Sequence, residues 1–265
     1  MVLLKQQWRG DRGNLIGWAV ALVLLNWFMV SMYRSLIASG MLSDLVTALE
    51  AMPAVMQAWL AGGTPLITFS GFVAGTLYNG MLPILLAIYV GLYIPGIITR
   101  DVDERNIEFL LSLPVRRTAV IVTRFLGFLA GLAGILLVQW ASLLVVAARD
   151  GDASRYLIAD LNLFLLFAAV GALILLVSVF VDEQTRGMAV SMALSLGMFF
   201  AHLLTEAATG AAATARKLLP FAHFNPGSII SFGKVAWWNL IGLAIAAAAL
   251  VCLSIVAFQR KQIAA

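Results

Sequence analysis

Apolar residues in this chain come in six long runs, each closed by a short cluster of charge, proline or glycine. The runs cover residues 14–37, 72–98, 118–147, 160–181, 187–204 and 235–258. A helix rising about 1.5 Å per residue needs about 20 mostly apolar residues to cross the hydrocarbon of a bilayer. All six runs are close to that length or beyond it. The pattern predicts an all-α, polytopic membrane protein in which residues 1–265 form a single domain with six transmembrane helices. Pro83 and Pro95 lie within or at the end of the second run, where each frees a backbone carbonyl and can kink the helix.

The segments between the runs carry their own periodicities. Lys5, Arg9 and Arg12, with Leu3, Leu4 and Trp8 among them, suit an amphipathic elbow helix over residues 1–13 lying on the membrane surface. The small residues Ala38, Ser39 and Gly40 allow a signal peptide as the alternative, but the apolar stretch is too long for a typical one, which favours an uncleaved anchor. Over residues 39–70, Leu45, Leu49, Met52, Val55, Met56 and Trp59 recur at helical spacing. They predict one or two rim helices, broken near Pro53 and ended by Gly62 and Gly63. Residues 206–234 hold two prolines, three aromatics and Gly-Ser punctuation, which predict short helices dipping into the outer leaflet.

The stretch from Arg100 to Phe125, RDVDERNIEFLLSLPVRRTAVIVTRF, differs from the others. Val102, Asn106, Phe109 and Leu113 fall near one helical face, and Asp101, Arg105, Glu108 and Ser112 near another, with Leu110 and Leu111 widening the apolar stripe. Asp101, Asp103 and Glu104 crowd the start, where the helix dipole favours acids. Pro114 stops the helix, and Arg116 and Arg117 follow at headgroup level. The alternative is a solvated loop, which has no need of such a stripe. A short amphipathic helix over 101–113, joined to a long span on each side, is suited to transmitting force from a soluble partner.

Composition agrees with the runs. At 62% hydrophobic and 11% charged, the chain holds more apolar surface than a soluble domain of 265 residues can hide. The net charge of +4 comes without a dense basic block interleaved with aromatics, which argues against nucleic-acid binding and for a membrane-side bias. With six spans both termini share a side. Eleven of the 17 Lys and Arg fall on that side and six on the other, which predicts cytoplasmic termini in a bacterial or archaeal cytoplasmic membrane. Cys252 stands alone in an apolar run, so neither a disulfide framework nor a cysteine metal site can be built. No internal repeat emerges.

Catalytic constellations are missing from the sequence. No phosphate-cradling loop is present: Ser228 stands where the earlier glycine would precede Gly233 and Lys234, and Val235 follows the lysine. The chain therefore reads as a non-enzyme, and any ATP hydrolysis belongs to another subunit. His202 and His223 share no metal spacing. His202 and Glu206 form an i, i+4 pair, read as interfacial, with a proton-linked role as the alternative. Arg34, Asp160 and Glu206 are placed near span ends, where snorkelling makes them tolerable. Asn26, Asn79, Gln139, Ser142, Ser178, Ser191 and Ser195 read as helix glue. Gly71 with Gly75, and Gly127 with Gly131 and Gly134, read as sites of close helix approach.

The run ERNIEFLLSLPVRR, Glu104 to Arg117, resembles the signature G-T-x-E-x-L-L-S-x-P-x-x-R of the ABC type 2 transporter permeases. Glu108, Leu110, Leu111, Ser112, Pro114 and Arg117 match position by position, while Arg105 and Asn106 stand where that family usually shows Gly and Thr. LPFAHFNPGSIISFG, Leu219 to Gly233, is similar to the loop before the last span of these permeases, and the order of elbow, spans and loops agrees along the whole chain. The resemblance implies a permease subunit working with a second permease copy or a homologous permease and with two ATPase subunits. It makes 101–113 a cytoplasmic coupling helix, with Asp101, Asp103, Glu104, Arg105, Glu108, Leu111 and Ser112 meeting the ATPase. This chain would bind no cofactor, and ATP and Mg would sit on the partner subunit. The second and fifth spans of the family meet near the dimer axis, which nominates Phe72, Leu77, Asn79, Met192, Leu196 and Phe199 for the substrate path. The expected activity is export of an apolar or amphipathic molecule. Its alternatives are a membrane component of an ATPase-driven mechanical or signalling complex, or an autonomous secondary carrier.

Overall fold

The computed structural model describes residues 2–61, 64–97, 117–147, 152–181, 183–206 and 210–260. No strand occurs among them, and six helices are long and apolar enough to cross a membrane, so the all-α six-span reading stands. Helix α1 runs Val2–Ala38, followed by α2 (Met41–Glu50) and α3 (Ala54–Ala61). The second span is composite: α4 (Phe69–Phe72), a π-helical segment (Val73–Met81), α5 (Leu82–Tyr93) and a 3-10 turn (Pro95–Ile97). Helices α6 (Arg117–Ala147), α7 (Ala153–Ser178) and α8 (Gln184–Thr205) follow. The short α9 (Ala211–Arg216) and α10 (Pro226–Ile230), with a 3-10 turn at Pro220–His223 between them, precede α11 (Trp237–Arg260).

The residues 1–13 read as an elbow and the first span are joined in one helix, since α1 runs from Val2 through Ala38 without a break. No proline interrupts it, and Gly10 and Gly13 weaken a helix without ending one. The fourth span starts at Ala153 rather than at the charge of Asp160. Asp152 caps it, its Oδ1 accepting from the Ser154 amide at 3.0 Å and from the Ser154 hydroxyl at 2.7 Å. The coupling segment 101–113 lies outside the described residues.

Helix α7 is the hub. It packs against α5, α6, α8 and α11, and most of its length is buried. Helix α1 lies along α6, and α5 lies along α8. Glycines set two of these approaches. A Cβ on Gly91 would stand 3.1 Å from the Met192 Cα, and one on Gly171 would stand 2.9 Å from the Phe128 ring. Outward faces of α1 and α11 stay apolar and exposed, including Leu24, Trp27 and Phe28 on one and Trp238, Ile241 and Ile245 on the other. Helices with one packed and one exposed apolar face have hydrocarbon as their outer solvent.

One end of the bundle is built from α2, α3 and the segment 210–236, and it is called the rim here. The two rim helices α2 and α3 are separated at Ala51–Pro53, with Leu49 buried and Leu45, Met52 and Met56 exposed. The Tyr33 hydroxyl donates to the Ile67 carbonyl at 3.0 Å, and the Tyr33 ring meets Phe69 and Phe72. The 210–236 segment is tucked inward: Phe221 is buried against Phe167 and Phe199, and the Arg155 guanidinium reaches the Ile230 carbonyl. At the opposite end, Arg124 donates to the Ile97 carbonyl at 2.7 Å, tying α6 to the close of the second span.

Candidate functional site

Pro83 determines the shape of the second span. Its ring crowds the preceding turn and it offers no N–H, so a straight α-helix cannot run through it. The chain widens instead into the π segment Val73–Met81, where the Leu82 amide donates to the Leu77 carbonyl, five residues back. That register leaves the Tyr78 carbonyl without its usual main-chain donors. Leu82 is committed to Leu77, and Pro83 has no hydrogen to give.

The Tyr78 side chain points into a layer of buried polar groups. Gln139 Nε2 of α6 donates to the Tyr78 hydroxyl at 3.4 Å, and the Tyr78 ring stacks on Tyr156 of α7 with centroids 6.4 Å apart. Asn26 of α1 joins from the far side. Its Nδ2 donates to the Gln139 carbonyl at 2.9 Å and to Ser142 Oγ at 2.6 Å, while the Ser142 hydroxyl donates to the same carbonyl at 2.8 Å. Four separate spans thus contribute to one layer. Sequence reasoning took Asn26, Gln139 and Ser142 for helix glue, and this network does bind α1 to α6.

Asp160 departs from its expected place. It is only 4% exposed, about two turns inside α7, and its carboxyl group lies beside the Tyr78 hydroxyl without completing a hydrogen bond. Neither of its oxygens has a partner among the described residues, and the two described ion pairs, Arg155–Asp152 and Arg186–Glu183, do not involve it. Charge in the middle of a predicted span marks a boundary only if the helix begins there. Here it begins at Ala153, and an acid that seemed free to snorkel is enclosed. A buried ionisable residue inside a membrane bundle is costly to keep and marks function more often than packing.

The nominated path residues belong to the second and fifth spans and differ in burial. Phe72, Leu77 and Phe199 are buried in side-chain packing, whereas Asn79, Met192 and Leu196 are half-buried. Met192 lies against Gly91, and Ser195 on the same helix donates to the Ala87 carbonyl at 3.0 Å, so the second and fifth spans do adjoin within this chain. Asp101, Asp103, Glu104, Arg105, Glu108, Leu111 and Ser112 all lie outside the described residues.

His202 and Glu206 do not form the expected pair. The His202 ring stacks on Phe221 at 6.5 Å, and Arg216 Nη1 donates to the Glu206 main-chain carbonyl at 3.0 Å. Burial raises the Glu206 carboxyl above the ordinary carboxylate range, and the nearby Arg216 opposes that shift in part. Gly233 and Lys234 close a turn in which the Lys234 amide donates to the Ser228 carbonyl at 2.9 Å. The small-residue spacings divide as well. A Cβ on Gly131 would press on Leu15 and the Tyr89 hydroxyl, while one on Gly134 would meet nothing within 4 Å. Gly71 is crowded by the Pro65 carbonyl of its own entry turn rather than by another helix.

The family model described as multidrug efflux system permease Rv1217c, C-terminal domain, matches residues 5–259. No curated protein and no solved structure matches the chain.

Proposed function

The chain belongs to the family of the multidrug efflux system permease Rv1217c, C-terminal domain, and from that membership we propose that it is the membrane subunit of an ATP-driven exporter of type 2. The family match, which runs almost from end to end, carries the efflux assignment. The ATP-driven part rests on the Glu104–Arg117 run, whose Glu108, Leu110, Leu111, Ser112, Pro114 and Arg117 agree with the coupling signature. In this reading two copies, or this chain and a homologous permease, sit on a pair of ATPase subunits that bind ATP and Mg. Both termini and the 101–113 lever face the cytoplasm. Closure of the ATPase pair pushes the lever, which is continuous with the second and third spans. A bundle with two arrangements then exchanges access from one side to the other.

The transported molecule is apolar or amphipathic. Apolar side chains make up most of the interior of the described spans, so a large, strongly hydrated solute would lose far more on entry than it regains. The half-buried Asn79, Met192 and Leu196 along the second and fifth spans are the proposed contacts.

A second reading, efflux powered by an ion gradient, draws support from one observation, the enclosed Asp160. Reconstitution separates the two. The ATP-driven reading expects a nucleotide-binding subunit to co-purify with this chain and its hydrolysis to rise with a transported compound. Uptake by the purified chain alone, driven by an imposed gradient and indifferent to ATP, would establish the second reading in its place.

A further inference from the structure

Five amide and carboxylate oxygens in the bundle are buried without a donor among the described residues: Asn26 Oδ1, Gln139 Oε1, both oxygens of Asp160, and Asn162 Oδ1. The polar layer holds an excess of acceptors. Both hydrogens of the Asn26 amide are committed, one to the Gln139 carbonyl and one to Ser142. Gln139 spends one on Tyr78. A half-turn of the Gln139 amide would bring Oε1 to the Tyr78 side in place of Nε2, so the glutamine can present either atom there. Gln139 and Asp160, on separate helices, thus both border the Tyr78 hydroxyl, and no described cation pairs with the Asp160 carboxyl.

This is the donor set of a hard cation. The total charge is a single negative one, contributed by Asp160, with the other ligands neutral. A monovalent ion balances that charge, while a divalent ion would leave a net positive charge stranded in hydrocarbon. The close packing of Tyr78 and Tyr156, both almost wholly buried, leaves the layer suited to a bare ion and not to a bulky organic cation.

We propose that Asp160, Gln139 and Tyr78 form a binding site for one alkali-metal cation, sodium or potassium, in the interior of the bundle. The ion neutralises the Asp160 carboxylate and joins the π segment, α6 and α7 into one unit. Asn26 does not ligate. It is a positioning residue that holds the Gln139 backbone through two hydrogen bonds. The site stands apart from the question of what powers export, since an ion can be structural in an ATP-driven permease and coupled in a gradient-driven one.

The test is thermal unfolding of the purified full chain in detergent, followed by tryptophan fluorescence, with sodium or potassium chloride exchanged for choline chloride at constant ionic strength. The unfolding midpoint should rise by several degrees as either alkali ion is taken from about 1 to about 300 mM, because a ligand that binds only the folded state stabilises it by mass action. Choline should have no such effect. Asp160→Asn, which keeps the shape and removes the charge, should abolish the response. Gln139→Leu should raise the half-effective concentration about tenfold or more. Equal midpoints in alkali and choline salts for the unmodified chain would overturn the site without recourse to any variant. So would a midpoint that responds to acid alone and loses that response in Asp160→Asn, since the carboxyl would then carry a proton in place of a metal ion.

Discussion

The Ser195 hydroxyl of α8 donates to the Ala87 carbonyl of α5 at 3.0 Å, four residues from the place where Gly91 lies against Met192. One hydrogen bond and one bare backbone contact therefore pin the second span to the fifth within a longer packed seam. Interhelical hydrogen bonds in membranes contribute modestly, because the separated helices find other partners. Ser195→Ala is expected to cost about 0.6 kcal/mol in a detergent unfolding assay. Gly91→Val should cost more, since its Cβ would press on the Met192 main chain, which cannot rotate away.

Glycines at two other positions make a sharper contrast. A Cβ on Gly71 would collide with the Pro65 carbonyl, which belongs to the backbone of a turn fixed by two further bonds: Thr64 Oγ1 to the Gly71 carbonyl at 2.8 Å, and the Gly71 amide to Thr68 Oγ1 at 3.1 Å. Gly71→Ala should destabilise by about 1 to 3 kcal/mol, the range of a strained, overpacked site. Gly134→Ala meets nothing and removes a poor helix former, so it should be neutral or slightly stabilising. Matched losses in the two variants would mean that the entry turn yields where its bonds imply it cannot.

The glycines also illustrate what a linear pattern reveals. Spans, their number and the segments between them could be read from hydropathy because the bilayer imposes a length and a solvent on each run. Gly71 and Gly75 shared the spacing of a helix-pairing motif, yet the partner of Gly71 is six residues away in its own turn, and spacing carries no information about which surface approaches. Pro83 announced a break but not its form, since a kink and a π segment satisfy the same missing donor. Asp160 was misplaced because hydropathy ends a span at the first charge, whereas the helix starts at the Asp152 cap. The polar residues around it are far apart in sequence, and only the fold reveals that Asn26, Tyr78, Gln139 and Asp160 share one layer.

Two acids at the rim end should give opposite pH slopes. Glu206 is raised by burial, with Arg216 opposing, so its protonated form favours the fold. Its contribution is complete below the ordinary carboxylate range and is lost as pH rises through its elevated value. Asp152 is lowered, first by the Ser154 hydroxyl and then by the Ser154 amide, with Arg155 adding a weaker pull. Its contribution is present above the ordinary range and is lost as pH falls through the depressed value. Unfolding midpoints measured from acid to neutral pH should therefore change in opposite senses in Glu206→Gln and Asp152→Asn relative to the unmodified chain. Parallel changes would contradict the assignment of both shifts.

The lever proposed for 101–113 is tested by a pair of substitutions. Glu108→Ala together with Leu111→Asp removes a charge from the polar positions of the sequence pattern and places one among its apolar positions, without touching a span. Membrane insertion should survive, while the nucleotide-binding subunit should no longer co-purify. Retention of that subunit at unmodified levels would remove the coupling role from these residues.

The π segment supplies the last prediction. Its cause is Pro83, and its consequence is the position of Tyr78. In Pro83→Ala the missing amide hydrogen returns and the ring no longer crowds the turn, so the second span can close into a regular α-helix. Proline in a helix interior costs about 3 kcal/mol relative to alanine, so the substitution should leave stability unchanged or raise it. The price falls on the polar layer. Tightening the π register turns the residues before Pro83 about the helix axis by on the order of 100°, which carries the Tyr78 ring away from Tyr156 and Asp160 and gives its carbonyl a main-chain donor. The variant should therefore unfold at least as late as the unmodified chain and yet lose the alkali-ion response of its midpoint and its efflux activity. Simple loss of a kink would spare the ion response. A Pro83→Ala chain that is stable, still stabilised by sodium and fully active would show that the widened turn is incidental to the layer it faces.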